Sequence, residues 1–175
     1  EVTGYADDLT LHLRVALPKG GAAMPLSGKF GADRDQAVEL LRQARDHAHK
    51  LGVTFHVGSQ CLEIGDYDTA LAYVRSIVDA SGVGIDSIDC GGGFPVAYPG
   101  MTPKPMGDYF KAIRSSLGAH GFAGLQVLGE PGRALCAQGG STLARVELRK
   151  GGDLYLNDGS YGSLFDAAQC AWNYP

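Results

Sequence analysis

Three short strings hold the side chains and bare backbone from which chemistry can be built: Phe55-His56-Val57-Gly58-Ser59-Gln60, Asp89-Cys90-Gly91-Gly92-Gly93-Phe94-Pro95 and Gly129-Glu130-Pro131-Gly132-Arg133. Each follows an apolar, strand-like run and interrupts it with glycine beside a polar or charged residue. Ligands in parallel α/β architecture bind at the carboxyl ends of strands, so three such endings imply one shared site. Together they offer an imidazole, a stretch of backbone N–H groups without side chains, a carboxylate and a guanidinium. That set suits a flat, phosphorylated, protonatable cofactor.

Each piece also has a plainer reading. Gly91, Gly92 and Gly93 lack the G-K-[ST] of a P-loop and are not G-x-G-x-x-G. Without side chains they let a phosphate approach peptide N–H groups, or they simply make a tight turn that needs positive φ. Glu130 precedes proline and is therefore biased toward extended backbone. Pro131-Gly132 fits the centre of a type II turn that returns Arg133 to Glu130. The pair is then either a structural ion pair or a carboxylate free to keep a pyridine nitrogen protonated. His56 is a core histidine or a ring packed flat on an aromatic cofactor. Ser59 offers a hydroxyl to a phosphate or to a turn. His47 and His49 lie two apart on a helix and face different sides, so they make no metal pair, and Asp86 and Asp89 read as solvated or structural acids.

The elements that must position these strings follow from periodicity. Residues 10–17 alternate as a strand, and residues 24–30 are a second short candidate. Asp33 with Gln36 three residues on is a capping box, opening a helix whose face is Ala37, Leu40, Leu41, Ala44 and Ala48 and which Gly52 stops. A strand over 53–57, a helix over 67–79, a strand over 85–90, a Pro-rich loop over 95–105, a helix over 106–119 and a strand over 125–128 follow. This βα rhythm predicts a parallel sheet. Past Arg133 the pattern changes: residues 141–148 alternate, Lys150-Gly151-Gly152-Asp153 turns, and residues 154–156 return, which is a hairpin.

The bulk properties narrow the function classes. The chain has 175 residues and a net charge of −4, which argues against nucleic acid or an anionic membrane as partner. No apolar run is long enough for a membrane helix. Cys61, Cys90, Cys136 and Cys170 form no C-x-x-C pair, so they read as buried or half-buried thiols of a cytoplasmic protein, with no metal site. The 26 glycines are about twice the usual share and sit at strand ends, which points to close backbone approach. A start at Glu1 without methionine suggests a piece of a longer or processed chain.

Taken together, His56-Val57-Gly58-Ser59, Gly91-Gly92-Gly93-Phe94 and Glu130-Pro131-Gly132-Arg133 resemble the group IV pyridoxal-phosphate decarboxylases of the alanine-racemase-like fold. Order and spacing match as well as content. Residues 27–32 resemble the family's preceding strand, and Leu156-Asn157-Asp158-Gly159-Ser160-Tyr161-Gly162-Ser163 the opening of its second domain. The resemblance implies an α/β fold: the second half of a pyridoxal-phosphate-binding (β/α)8 barrel over 1–138, then the beginning of an antiparallel β domain over 139–175. It implies pyridoxal 5'-phosphate as cofactor, with His56 and Glu130 as catalytic residues and His56, Ser59, Gly91, Gly92, Gly93, Glu130 and Arg133 binding the cofactor. The activity implied is decarboxylation of a basic L-amino acid, ornithine or lysine, to a diamine in polyamine biosynthesis, by a homodimer with its site at the subunit interface. Gln60 after Ser59 is more typical of the diaminopimelate branch, and arginine decarboxylases share the motifs. None of Lys19, Lys29, Lys50, Lys104, Lys111 or Lys150 has the Tyr/Ala-Val-Lys context of the family's Schiff-base lysine, so the chain alone is expected to be inactive. The other readings are a decarboxylase-like regulatory protein such as the antizyme inhibitors, and a racemase. By the same resemblance, alanine racemases carry arginine where Glu130 stands.

Overall fold

The computed structural model describes residues 8–18, 28–170 and 172–174. Four strands, β1 (Thr10–Arg14), β2 (Lys50–Thr54), β3 (Ser87–Asp89) and β4 (Gln126–Leu128), lie in that order in one sheet, all parallel. Helices α1 (Arg34–Arg45), α2 (Gly65–Ser81) and α3 (Met106–Ala119) make the crossovers, and α4 (Gly132–Cys136) follows β4. The antiparallel pair β5 (Val146–Lys150) and β6 (Asp153–Leu156) and the short α5 (Phe165–Gln169) complete the chain.

Register divides the sheet into two faces. Leu11 pairs with Leu51, and Val53 with both Leu13 and Ile88, so these side chains share the face covered by the helices. Leu51, Val53 and Ile88 are fully buried there with Leu41, Leu71, Val74, Ile77 and Phe122, which is the core. The opposite face carries His12, Gly52, Ser87 and Gln126 in one row. Nε2 of His12 lies 2.9 Å from Oγ of Ser87 across Gly52, and a Cβ on Gly52 would come within 2.4 Å of both side chains.

That crossing corrects one expectation. Gly52 does not stop α1; it lies inside β2, whose ladder begins at Lys50 and ends at Thr54. The helix ends earlier, at Arg45, whose guanidinium turns onto the carbonyls of Ala48 and His49 and onto Asp86. Leu40, expected on its buried face, is exposed. The helix start is as read: Asp33 caps, and its side chain and that of Gln36 bond reciprocally to the backbone. α3 begins directly after Pro105, whose ring suits a helix start. Of the strand expected over 24–30, residues 24–27 lie outside the described ones. Residues 28–31 form turns and bends, and only Ala32 bridges, to Val15. A hairpin forms, but its first strand is Val146–Lys150 and not 141–148, and Lys150 and Asp153, expected in the turn, pair in the ladder; its apolar side chains Val146, Leu148, Leu154 and Leu156 are exposed. Among the described residues no helix is long and apolar enough to cross a membrane.

Candidate functional site

The parallel register levels the strand ends. Arg14 pairs with Thr54, Thr54 with Asp89, and Asp89 with Leu128. His56, Gly91 and Glu130 each stand two residues beyond that row, where the ladder hands over to loops. The ladder is continued there by Phe55 N–H to the Asp89 carbonyl at 3.2 Å, Cys90 N–H to the Leu128 carbonyl at 3.0 Å and Glu130 N–H to the Gly91 carbonyl at 2.7 Å. Three sequence-predicted pieces therefore meet at one mouth.

His56 is half-buried, and its Nδ1 accepts from the N–H of Gly58 at 2.9 Å. That bond leaves the proton of a neutral ring on Nε2. Burial first, and the Arg14 guanidinium second, hold the imidazole below its ordinary pKa of 6.5. A neutral ring suits packing on another aromatic system. Arg14, the last residue of β1, escaped the sequence reading because it closes an apolar alternation without glycine.

The glycine string is bent into place. Gly91 has φ of 64° and Gly93 of 99°, conformations that resist a side chain. Asp89, read as merely solvated or structural, accepts the Gly91 N–H at 2.9 Å and so sets that turn. This corrects the expectation of three open N–H groups: those of Gly92 and Gly93 have no protein acceptor among the described residues, while that of Gly91 is taken. A Cβ at Gly92 would sit 2.8 Å from the Glu130 carbonyl oxygen and 2.9 Å from Nε2 of His56. The space above Gly92 is thus shared by all three strand ends. Tyr67, fully buried, donates to the Gly92 carbonyl at 3.0 Å, and Cys61 N–H donates to the Gly93 carbonyl at 2.9 Å. Ser59 is half-buried on the loop leading from His56, and its hydroxyl has no partner among the described residues.

Glu130 and Arg133 part company. Pro131 has φ −77° and ψ 65°, and Gly132 N–H bonds back to the Glu130 carbonyl at 2.8 Å, an inverse γ-turn in place of the expected type II turn. A type II turn needs positive φ at Gly132, but Gly132 is the first residue of α4. The helix carries Arg133 away: Nη1 donates to the Tyr98 hydroxyl at 2.9 Å, Nη2 pairs with Asp166 at 3.3 Å, and the guanidinium lies 4.9 Å from the centre of the Trp172 ring. Among the described residues Glu130 has no ion-pair partner, so the structural ion pair with Arg133 is not formed. Beside Arg133 a cavity of about 720 Å3 is lined by Tyr98, Cys136, Ser163, Asp166 and Tyr174. Cys136 is exposed, contrary to the expectation for the four thiols, whereas Cys61, Cys90 and Cys170 are buried. Burial pushes the Cys61 and Cys90 thiols up to about 12, which keeps them protonated.

Comparison with known proteins gives a consistent picture. Residues 1–137 match the model of the pyridoxal-binding domain of pyridoxal-dependent decarboxylases. The chain is 32% identical over 171 residues to the lysine/ornithine decarboxylase of Selenomonas ruminantium, covering 93% of this chain and 43% of that protein. It is 39% identical over 127 residues to the diaminopimelate decarboxylase of Pseudomonas aeruginosa, covering 70% of this chain and 30% of that one. The lysine/ornithine decarboxylase of Vibrio vulnificus, solved with putrescine, superposes with a TM-score of 0.77 at 30% identity over 99% of this chain and 47% of that one. The chain spans less than half the length of these relatives.

Proposed function

The chain belongs to the pyridoxal-dependent decarboxylases, through their pyridoxal-binding domain, and we propose that the protein carrying it releases the carboxyl group of a basic L-amino acid, ornithine or lysine, to leave a diamine. The cofactor is pyridoxal 5'-phosphate. The residues of the mouth fit it, and one observation carries that fit: the missing Cβ of Gly92 opens a cradle between His56 and the Glu130 carbonyl that any side chain would fill.

When bound, the cofactor supplies a ring that accepts the electron pair left by the departing carboxyl group. The chain's own residues then bind and tune it. His56, neutral and half-buried, presents its face to the ring and adds no competing positive charge. The free N–H groups of Gly92 and Gly93 and the Ser59 hydroxyl hold the phosphate, with Gly91 bending the loop for them. Arg133, fixed by Tyr98 and Asp166, adds positive charge at the same end of the sheet. Glu130, free of Arg133, holds a proton at the ring nitrogen by opposite charge.

On the same reading residues 1–138 are the second half of a (β/α)8 barrel and residues 139–175 begin an antiparallel β domain of a longer chain, which also supplies the lysine that carries the cofactor. The protein works in the cytoplasm in polyamine biosynthesis, as a homodimer with its site at the subunit interface. Diaminopimelate is the second substrate reading, favoured by Gln60 after Ser59 and by the 39% identity to a diaminopimelate decarboxylase. Carbon dioxide release by the full-length protein, supplied with pyridoxal 5'-phosphate and offered ornithine, lysine, arginine and diaminopimelate in turn, tests the activity and the substrate. Fastest turnover of ornithine or lysine supports the first reading, and preference for diaminopimelate selects the second. Release from none of the four overturns the decarboxylase reading in favour of a regulatory protein, or of a racemase where the amino acids lose optical activity.

A further inference from the structure

Gln60 is 1% exposed and, among the described residues, the one residue other than glycine with left-handed backbone, at φ 57°. Such backbone is disfavoured for a residue with a Cβ and persists only where its surroundings fix it. What fixes it is the carboxamide. Its Oε1 accepts the Val96 N–H at 3.2 Å, and its Nε2 donates to the Val96 carbonyl at 2.5 Å and lies 3.7 Å from the Met101 sulfur. One side chain thus engages both backbone groups of a residue in another loop.

The neighbouring bond completes the clamp. Cys61 N–H holds the Gly93 carbonyl, so residues 60 and 61 grip the segment 93–96 at both ends. Tyr98 stands two residues further on and receives the Arg133 guanidinium. A single carboxamide therefore joins the loop that leaves His56, the exit of the glycine loop and the turn that orients Arg133. Both of its ends are occupied, so it works through Val96 and not by touching a ligand.

We propose that Gln60 is a positioning residue for phosphate recognition: by clamping Val96 it sets the placement of the Gly92 and Gly93 N–H groups and of Tyr98, and with them the preference for phosphorylated over unphosphorylated pyridoxal. The inference rests on the reading that this mouth takes pyridoxal 5'-phosphate. The test is equilibrium dialysis of the cofactor-free full-length protein against pyridoxal 5'-phosphate and against pyridoxal. Gln60→Gly keeps the left-handed backbone without strain and removes the carboxamide. Gln60→Glu keeps an acceptor for the Val96 N–H but loses the donor to its carbonyl. Each variant should lower the preference for the phosphorylated ligand about tenfold, the scale of one or two misplaced hydrogen bonds, with pyridoxal affinity unchanged within about twofold. Equal weakening of both ligands, or an unchanged preference, overturns the inference and leaves the cofactor reading standing. Failure of the unsubstituted protein to bind pyridoxal 5'-phosphate overturns the cofactor reading and the inference with it. A measurement on the unsubstituted protein guards against variants that do not fold. The Val96 amide should exchange hydrogen as slowly as the buried turns of α2, and exchange at the rate of an open loop overturns the clamp.

Discussion

Replacing Gly92 by alanine in the full-length protein is the sharpest test of how the mouth is assembled. The backbone there is not left-handed, so alanine meets no conformational penalty and gains about 0.4–1 kcal/mol by restricting the unfolded chain. Against this, the new methyl would lie 2.8 Å from the Glu130 carbonyl oxygen and 2.9 Å from Nε2 of His56. One neighbour is backbone and the other a half-buried ring, so each must retreat by roughly half an ångström, and overpacking of this kind costs about 1–3 kcal/mol. The net is a loss of up to about 2.5 kcal/mol, read as a lower urea midpoint. The methyl also fills the cradle and tilts His56, so affinity for pyridoxal 5'-phosphate falls about tenfold or more. Two controls bracket the effect. Gly118 in α3 has nothing within 4 Å, so Gly118→Ala should stabilise by about 0.5–1 kcal/mol and leave cofactor affinity alone. Gly91 has φ +64° and a Cβ there would stand 1.9 Å from the Phe55 carbonyl oxygen, so Gly91→Ala should compromise folding itself. A Gly92→Ala protein with the parent's urea midpoint and a cofactor Kd within twofold of the parent's would refute the convergence of the three strand ends.

Three further outcomes follow from named contacts. Glu130→Ala, saturated with cofactor, should slow carbon dioxide release in a single turnover by about 10²–10³, the usual cost of losing one preorganised charge partner, and a rate within threefold of the parent rejects the ring-nitrogen role. His56 should titrate below 6.5 by NMR, and Arg14→Gln should raise its midpoint part of the way back. Because the unfolded chain binds the extra proton between the lowered native value and 6.5, this residue's contribution to stability is complete above 6.5 and is lost as pH falls through the native value. A midpoint at or above 6.5 contradicts the burial argument. Tyr67→Phe keeps the buried ring but leaves the Gly92 carbonyl without its 3.0 Å donor, a loss of about 1–2 kcal/mol in urea unfolding that an unchanged midpoint would disprove.

What the sequence made legible was local, and what it hid was contributed by distant chain. The start of α1 could be read because a capping box is complete within four residues, and α3 because Pro105 fixes its beginning. The end of α1 could not, because Gly52 looks like a stop until His12 and Ser87, from the two neighbouring strands, are seen to meet across it. Gln60 looked like a mark of one enzyme branch, and only its bonds to both backbone groups of Val96 explain a glutamine in left-handed backbone.

The site follows the same division, with one difference that bears on its chemistry. His56, Gly91 and Glu130 were recognisable because a parallel register brings equivalent positions on successive strands to one level and glycine or proline follows each apolar run, even though β2 ends at Thr54 and not at Val57, where its apolar pattern put the end. The relation of Glu130 to Arg133 was not, because Pro131-Gly132 reads as a type II turn, and only α4, which opens at Gly132, excludes the positive φ that such a turn needs. In the type II turn the carboxylate and guanidinium would neutralise each other. In the γ-turn that forms, Arg133 is drawn off by Tyr98, Asp166 and the Trp172 ring, and the carboxylate is left without an ion-pair partner among the described residues. Separating that pair costs stability only if each partner lacks a substitute. Arg133 has three, and on the proposed reading a protonated ring nitrogen would be the partner of Glu130. Asp166→Ala therefore weakens only the restraint on Arg133, whereas Tyr98→Phe removes a hydrogen bond without removing the ring. Neither change restores an ion pair with Glu130 while α4 keeps its first turn.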